Sequence, residues 1–207
     1  MNWWHRQGRL CKSIRKGMEQ ETRLKPVREF RAYRRNLPHI ELASSVYFIT
    51  FRTTEGFTLS EEAKDITFES IKFHSGKKYE LYACVVMETH VHIILRPLSA
   101  QARRPVPPLG RPVPPANKAN SKLVGADSAF YSLAQITHSI KSYSANRIQK
   151  LLHRNGSAWL DESYDRIVRD DEEYLEKMNY VINNPVKADL VEKPEDYKWL
   201  TLKWQIS

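Results

Sequence analysis

A chain of 207 residues with 41% hydrophobic and 11% aromatic content can bury a real core, which excludes a disordered polymer and suits one sizeable domain with appendages. No apolar run approaches the roughly 20 residues of a membrane span, and Met1-Asn2-Trp3-Trp4-His5-Arg6 lacks the continuous apolar stretch of a secretory signal. Cys11 and Cys84 stand far apart with no CxxC, against a disulfide framework or a Cys-rich zinc site, so a soluble, cytoplasmic protein with an anionic partner and no membrane is expected.

The formal net charge of +9 is unevenly spread. Residues 1–36 hold 11 Lys/Arg against 3 Asp/Glu, and residues 97–126 hold 5 basic residues and no acid. The remainder has 17 basic and 21 acidic residues, a net of −4. The basic excess therefore lies in an N-terminal arm, 1–36, and in a segment that interrupts a main domain at 37–202.

The arm interleaves Arg and Lys with Trp3, Trp4, Phe30 and Tyr33, a mixture suited to phosphate contact and base stacking. It reads as irregular or partly helical, and Met18 is an alternative start. From Ser45 the pattern changes. Val46 to Arg52 is a β-branched and aromatic run, predicting a buried strand. Ser60 can cap a helix to Phe73 whose apolar face is Ala63, Ile66, Phe68, Ile71 and Phe73. Tyr79–Met87 and Val91–Leu95 predict two strands, with Glu88-Thr89 turning a hairpin.

Residues 97–126 contain 7 of the 11 prolines and repeat Arg-Pro-Val-Pro-Pro at 104–108 and 111–115, which predicts a stiff linker or insertion without a core of its own. Ser128–His153 is a long helical pattern ended by Asn155-Gly156. Trp159–Val168 is expected to be extended or turned. Asp170 to about Asn183 predicts another helix, acidic in its first turn and stopped by Pro185. This order of elements predicts an α+β sandwich, an antiparallel sheet with helices packed on one face.

Chemistry concentrates at His90-Val91-His92. Positions i and i+2 of a strand face the same way, so both imidazoles project together as half of a divalent-metal site. On the last helix Tyr180 and Asn184 share a face at i, i+4, where a phenol could attack while an amide oxygen serves as a third ligand. Asn183 is a substitute for Asn184, and Tyr131 with Gln135 and Tyr143 with Arg147 have comparable spacing, so spacing alone does not choose. His138 reads as a surface helix residue. Trp159, Tyr164 and Trp199 read as core or base-stacking positions.

The stretch Val85-Val86-Met87-Glu88-Thr89-His90-Val91-His92-Ile93-Ile94-Leu95 resembles the His-hydrophobic-His strand of the IS200-like single-tyrosine (HUH) transposases. The run from Trp159 through Tyr164-Asp165-Arg166 and Tyr180-Val181-Ile182-Asn183-Asn184-Pro185-Val186-Lys187-Ala188 to Pro194-Glu195-Asp196-Tyr197 is similar to the branch associated with repetitive extragenic palindromes. Arg35-Asn36-Leu37-Pro38-His39 also resembles that branch, and the match spans residues 31–96 and 128–202. Glu88-Thr89 departs from it, the family usually having Pro-Asn there, which puts a carboxylate near the proposed metal or pointing outward.

The resemblance implies a ferredoxin-like fold and a prokaryotic, nucleoid-associated enzyme acting on single-stranded DNA near hairpins. It implies that His90 and His92 bind a divalent cation, Mg2+ or Mn2+, with Asn184 as third ligand and Tyr180 as nucleophile. Arg31, Arg34, Arg35 and Lys187 are expected to contact DNA. Homodimer and monomer both stay open. Attack by a phenol, ordinarily of pKa about 10 and so in need of activation, would give a covalent 5′-phosphotyrosine and release a 3′-hydroxyl. The alternative is a catalytically silent, domesticated DNA-binding protein of the same fold. A metal-dependent hydrolase lacks further His or Asp ligands at motif spacing, and no GxxxxGK[ST] motif is present.

Overall fold

Runs of Val, Ile and aromatic residues become strands when they can lie between two layers, and the centre of this protein is built from such runs. The computed structural model describes residues 30–34, 38–42, 45–99 and 130–203. In chain order these form strands β1 (Phe30–Arg34), β2 (Pro38–Leu42) and β3 (Tyr47–Thr53), helix α1 (Glu61–His74), and strands β4 (Tyr79–Val86) and β5 (His90–Pro97). Helix α2 (Leu133–Leu151), strand β6 (Trp159–Ile167), helix α3 (Asp171–Lys187), a 3-10 turn at Pro194–Asp196 and strand β7 (Leu200–Leu202) complete them. Strands β6-β3-β5-β4-β7 make one antiparallel sheet, and β1-β2 form a separate two-stranded ribbon.

The sheet is the α+β framework expected, and its alternation separates two faces. Val91, Ile93 and Leu95 of β5, with Tyr47, Ile49 and Phe51 of β3, are fully or almost fully buried. On that side Tyr79 donates its hydroxyl to Ile71 O of α1 at 2.6 Å. Trp159 meets Phe51 edge-on and donates Nε1 to Ser144 of α2 at 3.0 Å. The helix layer on one face is thus α1 and α2, which also join through Ser70 Oγ to Ile140 O at 3.3 Å. Helix α3 lies against the other face, so helices cover both sides of the sheet and not the single side the sequence predicted; there Tyr174 reaches Tyr82 of β4 and Tyr180 reaches Phe48 and His92.

Local signals account for most boundaries. Ser60 accepts from Ala63 N at the start of α1, and Ser132 with Gln135 forms a reciprocal capping box at the start of α2. Glu88-Thr89 does turn the β4–β5 hairpin, with Met87 N donating to His90 O at 2.8 Å. Several boundaries differ from the sequence reading. Residues 30–34, placed in an irregular or partly helical arm, pair as a strand with β2, so the ribbon straddles the 36/37 boundary. Strand β5 runs on to Pro97, the edge of the expected linker. Phe73, expected on the apolar face of α1, is 59% exposed.

The largest departure is at Pro185, which does not stop α3: the helix continues to Lys187. A proline removes one amide donor and crowds the carbonyl four residues back. Here that happens a single turn before the end, and the ring is buried, so packing keeps the last turn helical. Asp189 follows in the left-handed region at φ 54°, and Leu190 N closes the end by donating to Pro185 O at 3.0 Å.

Candidate active site

His90, His92, Tyr180 and Asn184 all lie on the α3 side of the sheet. His90 and His92 point to this face because they are two apart on β5, and their ring centroids are 4.8 Å apart. The antiparallel register sets Thr50 of β3 opposite His92 and Arg52 opposite His90. Thr50 Oγ1 lies 2.8 Å from His92 Nδ1, and Thr89 Oγ1 lies 3.2 Å from His90 Nδ1. Phe48, two residues before Thr50, stacks on the His92 ring at 5.4 Å with planes 19° apart. His92 is 4% exposed and its Nε2 is buried with no hydrogen-bond partner among the described residues.

Helix α3 brings Tyr180, Asn184 and Lys187 over this pair. Their i, i+4, i+7 spacing keeps them on one helix face, and that face persists because Pro185 is accommodated within the helix. The Tyr180 ring is 5.0 Å from His92 and 5.9 Å, edge-on, from Phe48, yet remains 39% exposed. The Asn184 side chain interacts with His90, and Lys187 Nζ lies 5.7 Å from the centre of the Tyr180 ring. An accessible phenol thus stands beside two imidazoles, with an amide and a cation on the same helix face.

The electrostatics favour neutral imidazoles. Burial pushes His92 down to about 3, helped by His90 and Arg52. Burial lowers His90 too, with Arg52 acting the same way and Asn184 acting against it. Neutral imidazole is the form that ligates metals. With Nδ1 of each ring turned to a threonine hydroxyl, the tautomer protonated at Nδ1 leaves Nε2 as the lone-pair nitrogen. The orphaned Nε2 of His92 therefore fits a cation. Among the described residues no group of three or more His, Cys, Asp and Glu assembles, so a cation beside His92 would find only His90 of those residue types. Glu88 does not join the pair: the residue is exposed, and its charge acts on Tyr197.

A solved structure of a REP-associated tyrosine transposase bound to a REP hairpin superposes on this protein with a TM-score of 0.55. The alignment covers 82% of this chain and 81% of that one, at 16% identity. The two share a fold. No family model matches the chain, and no curated protein matches it in sequence.

The rival tyrosines are elsewhere. Tyr143 accepts from Arg147 at 2.8 Å on α2, which lies on the opposite side of the sheet, and Tyr131 precedes that helix. His138 lines an open cleft of about 500 Å³ with Lys141, Trp159 and Asp161, also on the α2 side. Trp159 and Trp199 are buried, Trp199 donating Nε1 to Asp65 at 2.7 Å. Asn183 bonds back to Asn179 O at 2.9 Å. Arg31 and Arg34 fall on β1, whose backbone pairs with β2, and Arg35 lies outside the described residues. Sequence reasoning missed Thr50 and Arg52. Alternation in β3 puts residues 48, 50 and 52 on one face, but only the register with β5 reveals that this face is the histidine face.

Proposed function

We propose that this protein cleaves and rejoins single-stranded DNA near hairpins, using Tyr180 as the nucleophile. The observation that carries the reading is the exposed Tyr180 phenol 5.0 Å, ring to ring, from His92, whose buried Nε2 has no hydrogen-bond partner among the described residues. The fold shared with a tyrosine transposase bound to a hairpin supports DNA as the partner. Among the described residues no helix is long and apolar enough to cross a membrane.

In the proposed step the Tyr180 oxygen attacks the scissile phosphorus. The O–P bond to tyrosine forms as the P–O3′ bond breaks, and the phenolic proton is balanced by protonation of the departing 3′-oxygen. The product is a 5′-phosphotyrosine and a free 3′-hydroxyl, and return attack by a 3′-hydroxyl rejoins strands without an external energy source. His90, His92 and Asn184 would hold Mg2+ or Mn2+, which when bound supplies Lewis-acid polarisation of a phosphate oxygen. Thr50 and Thr89 orient the imidazoles. Arg52 and Lys187 bring positive charge to the side from which a phosphodiester must approach.

The test is an adduct assay with a hairpin-bearing single-stranded oligonucleotide and Mn2+. The wild-type chain should yield a species resistant to SDS and sensitive to protease. Tyr180→Phe should bind the same DNA and yield none, and His90→Ala or His92→Ala should lose cleavage. An adduct from Tyr180→Phe would overturn the nucleophile, and binding without any wild-type adduct would leave a DNA-binding protein of this fold.

A further inference from the structure

One exposed aromatic residue on the catalytic face has no role in the chemistry above. Tyr164 of β6 is the strand partner of Thr50, which is in turn the partner of His92, so the three form one row across adjacent strands. At the usual inter-strand spacing the row sets Tyr164 about 10 Å from His92. Tyr164 is 48% exposed, on the edge strand of the sheet. It is not a loose surface ring. Its hydroxyl is a hydrogen-bond partner of Arg166, and Arg166 Nε is held at 2.5 Å by Glu173, a buried carboxylate of α3 that also accepts from Arg169. Arg52, likewise exposed, stands two residues along β3 from Thr50 and directly across from His90.

We propose that Tyr164 and Arg52 form the subsite for the unpaired nucleotide beside the scissile phosphate, Tyr164 stacking on its base and Arg52 holding its phosphodiester. The proposal rests on the strand-transfer reading and names the part of the substrate it must receive. A braced ring about two strands from the His pair can take the face of a base, and every base offers such a face. A guanidinium between that ring and the imidazoles can take the intervening phosphate. The subsite requires an unpaired base, because in a duplex both faces of a base are already stacked. It would therefore make the site selective for single strands regardless of sequence.

The probe is a set of hairpin oligonucleotides with 2-aminopurine moved one position at a time through the unpaired flank. With the full wild-type chain, fluorescence should be quenched most at one position. Tyr164→Leu should remove that quenching and weaken binding roughly 10-fold, while Tyr164→Trp should retain both. Arg52→Gln should leave the quenched position unchanged but lower the salt slope of binding by about 0.7. Quenching and affinity in Tyr164→Leu equal to wild type would overturn the subsite, as would equal loss in Tyr164→Leu and Tyr164→Trp. Equilibrium quenching does not need chemistry, so the two readings fail separately. Position-specific quenching without any adduct would remove the strand-transfer reading and keep the subsite. An adduct with no effect of Tyr164→Leu would do the reverse.

Discussion

The hydroxyl of Thr50 lies 2.8 Å from His92 Nδ1 and can accept the proton of that nitrogen. In that tautomer Nε2 keeps its lone pair, and it has no hydrogen-bond partner among the described residues. Thr50→Val keeps the β-branched shape and removes the acceptor, so the ring should lose its preferred tautomer without losing its place in the strand. Mn2+ affinity measured by calorimetry should fall about 10- to 100-fold, as expected when a partner behind a ligating histidine is lost. Stability should fall by about 1–3 kcal/mol, because the buried Nδ1 loses its partner, a cost that leaves the domain folded at 25 °C for the titration. Unchanged Mn2+ affinity in a folded Thr50→Val protein would mean that the hydroxyl does not set the tautomer. His90 with His92 and Tyr180 with Asn184 are local pairs, at i, i+2 and i, i+4, that the sequence shows. It is the family resemblance, and not the spacing, that chooses Tyr180 over Tyr131 and Tyr143. Thr50 and Arg52 are not legible there, since they reach the site across a strand pairing separated by about forty residues, and no local period reports which strands become neighbours.

Between β6 and α3 the connection is ionic, through Arg166 and Glu173. Burial alone would raise the Glu173 carboxyl, but bonds from Arg169 side chain and backbone and from Arg166 outweigh it and hold the group down at about 2. An unfolded glutamate titrates near 4.3. Between those values the unfolded chain binds the extra proton, so stability rises with pH: the contribution is complete above about pH 4.3 and is lost as pH falls through about 2. Glu173→Gln should therefore cost about 1–2 kcal/mol at neutral pH, moderated because both arginines reach solvent. It should also flatten the fall in Tm between pH 5 and pH 2. Parallel Tm profiles for the two proteins would show that the carboxylate charge does not matter there. The acidic first turn of α3 was visible in sequence, whereas the partner on β6 was not. The same asymmetry explains Pro185: local rules end the helix before it, and only the buried environment of its ring reveals that the last turn survives.

Across the whole molecule, the basic excess and the proposed site occupy different stretches of chain. The segments that form the sheet and helices lie in the part with a net of −4, while the cations concentrate before it and in the proline-rich segment. On the histidine face the positive charge comes instead from single residues, Arg52 and Lys187, set beside Tyr180 and the histidines. The N-terminal cations should instead supply non-specific, salt-sensitive attraction to the DNA backbone. The fold gives a clean place to separate the two. Strand β1 begins at Phe30, so removing residues 1–29 takes away 8 Lys/Arg and leaves the β1-β2 ribbon whole. If half of those cations touch phosphates, the slope of log affinity against log salt should drop by roughly 3 for a single strand. At saturating DNA the yield of tyrosine adduct should stay at the full-length level, because every group assigned to the chemistry remains. A salt slope equal to that of the full chain would show the N-terminal cations idle, and a loss of adduct at saturation would tie them to the reaction itself.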